Sequence, residues 1–567
     1  MRNVSRRGFI GTAALGTIGL AGASLLSACS PSKGQSDLPS TSTDGKSSEL
    51  MTTDQYVDTP WSFEIPPDPI AEEDITETKE ADIVVVGAGT SGLCCALSAA
   101  QNGVDVQVIA QSDAPVARGG SNSAVYSKYM KEVGVPKWDA DQDLRSHLLH
   151  SSFNVDTRKW YKFYNHSEEA MNWLIDEMAA ENDGWHVEIE SASWGMPPND
   201  PMRMLAGTHG WTNGEAPGPM GQPHVVEVLA SHILSEGGRI DYSTTAEQLV
   251  REGGTGRVNA VIAKDASGRY IKYAARKAVV LATGDFSADK EMVAKDAPLG
   301  LEMFTNWDQA TSPDSTNLVW GGLYKGTGHK MGLWVGAAWQ KTYPCPVMFS
   351  GAPDQGVGKP CVMLDETGHR FWAEERTEGI LGQVQRHCPH ETYFNIWGSN
   401  FADDFPYFFS SYGAEPTPAD DLKAEWESAA EAGSIVKADS LKELVDKLGL
   451  PDDAVEEIER YNRFCENGLD EDFHKMKEYL APVSKAPFYG KKVDSYGVLT
   501  VIGGLRTNAN MQVCDEEDAA IPGLYNVGTM VGDSMSNAYT FQIPGFNLGM
   551  NCVCFGYLTG KYIAENE

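Results

Sequence analysis

Three glycines carry the first chemical signal. Gly87, Gly89 and Gly92 stand in the order G-x-G-x-x-G within the stretch ADIVVVGAGTSG, Ala81 to Gly92. At that spacing the first glycine permits a tight turn and the second lets a pyrophosphate approach the backbone. The third lets a helix pack close against a strand. The free N–H groups at the helix start, around Thr90, Ser91 and Gly92, would face the phosphates. A second candidate contact is Arg118-Gly119-Gly120-Ser121-Asn122-Ser123, where a glycine pair and small polar side chains suit a backbone lying against a flat or charged ligand. His387, Cys388 and His390 could bind a metal on paper, but they read as a solvated loop and no metal site is assigned.

These residues need a strand, a turn and a helix to hold them. Ile83 to Val86 is a β-branched apolar run without helical period, as expected of a parallel strand buried on both faces. A helix over about Gly92 to Asn102 and a strand over Val106 to Ile109 complete a βαβ unit. The acidic residue that usually ends the second strand is missing. Ala110 and Gln111 stand there, which leaves Gln111 to hydrogen-bond a ribose hydroxyl. Helices are expected at about Asp141 to His150, Thr157 to Ala180 and Val225 to Ser235. Pro197 to Pro223, rich in Gly, Pro and Trp, reads as a long loop over the ligand. Short strands follow at Arg239 to Ser243, Ala246 to Arg251, Val258 to Lys264 and Tyr270 to Ala274. A buried strand, Ala278 to Leu281, then leads through Ala282-Thr283 to Gly284.

The chain has 567 residues, long enough for two or three domains, and 41% of them are apolar. A formal net charge of −34 argues against nucleic acid or anionic lipid as a partner. Its ten cysteines form no C-x-x-C pair and no C-x-x-C-H haem site. Cys94 and Cys95 are expected to be buried on the helix after the glycine turn. The N-terminus reads as an address. Ser5-Arg6-Arg7-Gly8-Phe9-Ile10 is a twin-arginine pattern, followed by a stretch (Ile10 to Leu26) too short and too rich in Gly, Ala and Thr to span a membrane well. Leu26-Ser27-Ala28-Cys29 resembles a lipoprotein cleavage box with Cys29 as the lipidated residue. Residues 1–29 are therefore expected to be a signal peptide, and 30–77 a flexible tether. The mature protein is expected at the outer face of the cytoplasmic membrane or in the periplasm.

From residue 81 to the end the chain resembles the flavoprotein family of soluble fumarate reductases, succinate dehydrogenase flavoprotein subunits, urocanate reductase and 3-ketosteroid dehydrogenases. The resemblance rests on the glycine turn, Gly119-Gly120-Ser121, and Ala282-Thr283-Gly284-Asp285-Phe286. It also rests on Gly326 to Ala338, Gly368-His369-Arg370-Phe371 with Glu374, Gly503-Gly504-Leu505, and Ile521 to Tyr525. The resemblance implies an α/β fold, with a Rossmann-like FAD-binding domain (78–340 and 496–567) and an inserted α+β capping domain (341–495). The implied cofactor is FAD, and Thr283, Gly284 and Asp285 are expected to join the glycine segments in binding it. The segment Pro544 to Gly549 would begin the last helix, with Asn547 and Leu548 at flavin N1 and O2. There the positive helix end would stabilise reduced flavin.

The chemistry departs from fumarate reduction. The four cations that hold and protonate a dicarboxylate in fumarate reductases fall near Val357, Thr500, Gln542 and Tyr343, and none is retained. Aromatic residues stand in their place: Tyr343, Tyr496, Tyr539, Phe541, Trp211 and Trp320. A tyrosine can donate a proton or polarise a carbonyl oxygen, and the ketosteroid dehydrogenase pattern, which Pro544-Gly545 with Leu548-Gly549 approaches, also uses one. Tyr539, next to the flavin-facing turn, is the first candidate, with Tyr343 and Tyr496 beside it. Arg203, His209 and His224 are weaker ones, His329 is expected to pack at a helix start, and Arg506 to face solvent. The expected activity is reduction of an activated C=C bond in a small molecule. Electrons would come from a cytochrome or another membrane-linked donor. The alternatives are a ketosteroid-type dehydrogenase and a dicarboxylate reductase.

Overall fold

In the computed structural model the apolar run before the glycine turn is the end of a longer strand, Ile75–Val86. The structure describes residues 60–117, 119–189, 205–214, 221–298, 324–350, 361–375, 382–405, 418–494, 496–539 and 542–567. The twin-arginine pattern, Cys29, Arg203, Trp320, Val357 and Phe541 lie outside them. Residues 60–77, expected in the tether, belong instead to the folded body. Two short turns precede the strand, and Phe63 is buried among Phe286, Met292 and Val498. A single aromatic in a polar stretch carries no period, so the sequence did not announce this contact.

Ile75–Val86 pairs in parallel with Val106–Ile109 on one side and with Tyr270–Leu281 on the other. Arg239–Asp241 and Ala520–Asn526 extend the parallel sheet outward. Thr245–Arg251 and Val258–Lys264 hang as a meander from the first half of Tyr270–Leu281. That segment was expected as two strands and is one of 12 residues. Its mid-strand charge does not break it, because Arg276 pairs with Asp82 (2.8 Å) and Asp105 (3.1 Å) at the sheet margin. The supposed loop over the ligand contains a strand, Thr208–Thr212, paired antiparallel with Asn122–Ser123 and His186–Ile189. Gly210 and the surrounding glycine-rich composition hid it.

The helix after the glycine turn, Thr90–Gln101, is buried on every side apart from its last residue. The closing helix, Phe555–Asn566, crosses it with almost no gap. A Cβ at Gly556 would lie 2.7 Å from the Ser91 carbonyl oxygen, and one at Gly560 2.3 Å from that of Cys95. Cys94 and Cys95 are fully buried as expected, and burial pushes the Cys95 thiol up to about 12. Among the described residues all nine cysteines are free thiols.

Outside this core, Gln222–Ser235 is tied to the long helix Thr157–Ala180 by His232. Its Nδ1 and Nε2 lie 2.6 Å from Glu177 and 2.6 Å from Glu181. Burial disfavours the charged imidazole, but the two carboxylate hydrogen bonds outweigh it and raise the pKa above 6.5. The contribution is therefore complete below pH 6.5 and is lost as pH rises through the raised value. In thermal melts the native protein should outlast His232→Asn at pH 6, and the gap should close in alkaline buffer. A gap that widens with pH would refute the ion-pair role.

The segment expected to form the cap contains a four-stranded antiparallel sheet, Val362–Asp365, Tyr393–Gly398, Phe488–Val493 and Val436–Ala438 in that order. Leu441–Leu448 and Ala454–Asn467 cover one face around Ile396, Leu444, Ile458 and Tyr461, as their amphipathic patterns predict. Beside this apolar core lies a buried charged network. Arg370 donates to Glu374 (2.7 and 2.6 Å) and to Asp470 (3.1 and 2.9 Å), and Lys475 lies 3.3 Å from Glu374. The guanidinium also stacks 4.6 Å from the Tyr461 ring centre. Cys345–Ser350 and Tyr496–Ile502, one on each side of the cap, pair antiparallel, so the chain enters and leaves the cap side by side.

Candidate active site

The glycine turn has the geometry of a phosphate cradle. Gly87 has φ +120°, and a Cβ there would lie 2.2 Å from the Ala282 carbonyl oxygen. A Cβ at Gly92 would lie 2.0 Å from the Gly87 oxygen, so both positions exclude any side chain. Gly89 differs. Its nearest protein atom, the Val116 oxygen, would be 3.4 Å away, so protein packing does not demand a glycine there. An approaching ligand would. No side chain caps the helix at Gly89, and its first N–H groups remain open to an anion. Gln111 is exposed just past the second strand, where a ribose contact is expected.

Behind the cradle, Gln222 Nε2 donates to Thr90 Oγ1 (3.0 Å), and Gln222 Oε1 accepts from Asn122 Nδ2 (2.7 Å). Gln222 is fully buried and fixes the helix start to the 119–123 segment. The sequence reading missed it. A glutamine beside Pro223 at a helix start was the only sign. Asn122 Oδ1 and Ser123 Oγ are buried without partners, acceptors of the kind a bound cofactor satisfies.

At the other end, 119–123 lies flat against the last turn of chain. A Cβ at Gly119 would lie 3.6 Å from Leu548 Cδ1, and Cβ atoms at Gly545 and Gly549 would lie 2.1 and 1.9 Å from the carbonyl oxygens of Ser121 and Ser123. Asn547–Cys554 is wound as a π-helix before the closing α-helix. Asn547 Nδ2 donates to Thr529 Oγ1 (3.1 Å), and Asn547 Oδ1 accepts from Asn551 (2.9 Å). The Tyr539 hydroxyl accepts the Phe546 N–H at 2.8 Å and the Asn547 N–H at 3.5 Å.

Two chambers open beside Tyr539. An inner one of about 100 Å³ is lined by His147, His150, Trp160, Tyr539 and Gln542 among others. An outer one of about 520 Å³ lies between the capping residues Gln383, Arg386, His387 and Glu391 and Ala538. Ala538 lines both.

A sequence family described as an FAD binding domain matches residues 82–542. The chain belongs to this family. It is 26% identical to the vinyl phenol reductase of Lactiplantibacillus plantarum, a match covering 85% of this chain and 94% of that one. It is 25% identical to the digoxin reductase of Eggerthella lenta, covering 100% and 98%. In fold it is similar to the 3-ketosteroid-delta4-(5alpha)-dehydrogenase of Rhodococcus jostii RHA1. The TM-score is 0.66 at 21% identity, over 88% of this chain and 99% of that one.

The flavoprotein is thus an FAD-dependent oxidoreductase acting on CH–CH groups. Bound FAD supplies hydride transfer. The cradle at Gly87, Gly89 and Gly92 fits its pyrophosphate, with Gly89 the position that protein packing leaves open. The expected cofactor contacts Thr283, Gly284 and Asp285 also make contacts within the protein. Asp285 is buried, and its carboxylate accepts from Thr500 Oγ1 (2.5 Å), the Val501 N–H (3.0 Å) and Ser287 Oγ (3.0 Å). Thr283 Oγ1 accepts the Gly328 N–H (3.1 Å), and Gly284 is held at φ +81° against the Tyr324 ring.

The candidate side chains scatter. Tyr343 is 71% exposed, and Tyr496 opens the strand leaving the cap, its side chain outside the described set. Trp211 is core. His209 is buried on Ser127 (2.7 Å), and burial holds it down to about 4. His224 stacks on Trp185 at 4.5 Å. His329 packs at its helix start as expected, between Phe286 and Trp339. Arg506, expected in solvent, instead donates to the carbonyls of Trp339 and Asp515 (3.2 Å each). Cys388 turns into an apolar cluster while His390 pairs with Glu366 (2.6 Å), so the His387–His390 group does not converge.

Proposed function

We propose that the protein is an exported reductase of an activated C=C bond in a neutral or singly charged substrate. Its electrons would come from a separate membrane-linked donor such as a cytochrome. The observation that carries this reading is the chamber beside Tyr539. Gln542, at the position where a fumarate reductase would carry an arginine, is a neutral amide whose Oε1 is bonded to His147 (3.0 Å) and His150 (2.9 Å). Among the described lining residues Arg386 is the one guanidinium, and it sits beside Glu391, a poor match for two carboxylates. The names of the two reductase relatives agree with an alkene substrate. The twin-arginine pattern, the box ending at Cys29 and the free thiols suit a lipoprotein folded before export.

Tyr539 takes the role of proton donor, ahead of the exposed Tyr343. Its oxygen already accepts backbone N–H groups at a helix start, and these would receive the charge left when its proton goes. The test is anaerobic. The reduced flavoprotein is mixed with 4-vinylphenol, hydroxycinnamates, 3-keto-4-ene steroids, urocanate and fumarate. Reoxidation by a neutral alkene, with fumarate inert, is expected; rapid reoxidation by fumarate alone overturns the proposal. Tyr539→Phe should slow reoxidation by about a hundredfold at unchanged FAD content. An undiminished rate removes Tyr539 from the chemistry.

A further inference from the structure

We infer that Gln222 is a positioning residue for the cofactor: it turns the Thr90 hydroxyl into a hydrogen-bond donor to the FAD pyrophosphate. The inference concerns the cofactor and stands apart from the choice of substrate. It begins at Asn122, which is fully buried. The Asn122 Nδ2 atom faces three oxygens, those of Gly120 (3.2 Å), His209 (3.3 Å) and the Gln222 side chain (2.7 Å). Two of these are backbone carbonyls, which only accept, so the nitrogen of the Asn122 amide must lie on this side. Gln222 then has to present its oxygen to Asn122, and its nitrogen is left for Thr90 Oγ1 (3.0 Å). The orientation of one amide therefore fixes the next. Thr90 Oγ1 accepts in this bond, so the proton of its hydroxyl is free to go elsewhere.

Among the described residues no oxygen takes that proton. The bond accepted from Gln222 is the hydrogen bond that the Thr90 side chain makes, although the residue is only 5% exposed. A buried donor without a partner is costly. Thr90 opens the helix at the cradle, next to Gly89, where packing leaves room for a ligand. A pyrophosphate oxygen there would take the proton, in a charge-assisted bond added to those of the helix N–H groups. The other end of the relay is open as well. Asn122 Oδ1 is buried without a partner, a lone pair left for a hydroxyl or N–H of the cofactor. The relay thus runs one way, from Asn122 through Gln222 to Thr90, and joins the 119–123 segment to the start of the cradle helix. Gln222 is itself fully buried and acts on the cofactor through Thr90.

The test uses the full-length holoenzyme, with FAD release on dilution followed by flavin fluorescence and the bound pyrophosphate by phosphorus NMR. Thr90→Val should bind FAD about tenfold more weakly and shift a pyrophosphate resonance, while Thr90→Ser keeps both at native values. Unchanged affinity and an unchanged phosphorus spectrum in Thr90→Val overturn the inference. Gln222→Glu reverses the last link, because one carboxylate oxygen can still accept from Asn122 while the other captures the Thr90 proton. It should weaken FAD about tenfold in the native chain and far less in the Thr90→Val background. Equal penalties in the two backgrounds would mean simple charge repulsion and also overturn the inference. Gln222→Met, the substitute if the buried carboxylate prevents folding, donates nothing to Thr90 and should show the same dependence on the Thr90 hydroxyl.

Discussion

Gly92→Ala should yield a protein that purifies without FAD. The added methyl would sit 2.0 Å from the Gly87 carbonyl oxygen and 3.2 Å from Ala282 Cβ. Neither the turn nor the buried helix can retreat, because the closing helix presses on the other side at Gly556 and Gly560. Overpacking of this kind costs about 3 kcal/mol, which is roughly a hundredfold in affinity if it falls on the ligand-bound turn. The flavin absorbance of the purified variant and its FAD titration would measure the loss. Gly103→Ala is the matched control. It has φ +78° in the same βαβ unit, but a Cβ there meets nothing within 4 Å. It should keep its FAD. Equal flavin content in the two variants would show that the close approach at Gly92 is not what shapes the cradle.

Arg370→Met should melt the capping domain and spare the flavin domain. The Arg370, Glu374, Asp470 and Lys475 side chains are at most 1% exposed. Burial opposes ionisation of Asp470, but the Arg370 hydrogen bonds outweigh it and hold its carboxyl down to about 2. Removing the guanidinium leaves two buried carboxylates facing one lysine, a loss of about 3–5 kcal/mol. For a domain of this size that is a fall in melting temperature of about 10 °C or more. Hydrogen exchange should rise in the strands Val362–Asp365, Tyr393–Gly398 and Phe488–Val493 while flavin absorbance stays constant, because the cap has its own apolar core. Loss of flavin in step with the cap would sink this picture. The low Asp470 value also has a direction. Its contribution is complete above pH 3.8 and disappears as pH falls through about 2.

Much of the flavin end was legible because glycine requirements are written in the sequence itself. Gly87 and Gly92 each meet a carbonyl that no side chain could share, and the spacing alone disclosed this. The two cap helices were legible from their apolar period. What the sequence concealed were contacts between distant residues. Gln222 joins Thr90 to Asn122 across 132 and 100 positions, and a lone buried glutamine has no pattern. His147 and His150 meet Gln542 across 395 and 392 positions. Asp285 sits in a motif associated with the cofactor, yet its carboxylate serves the strand Tyr496–Ile502. Arg506 did not face solvent, because it found carbonyl partners supplied by the tertiary fold.

The ladder between Cys345–Ser350 and Tyr496–Ile502 pins both ends of the cap at one point. Entropically, everything between these strands is a single closed loop, and lengthening or shortening such a loop changes its closure cost only logarithmically. The cap is therefore a cassette. The flavin-binding half can keep its fold and its phosphate cradle while the segment between the two strands is exchanged, enlarged or trimmed.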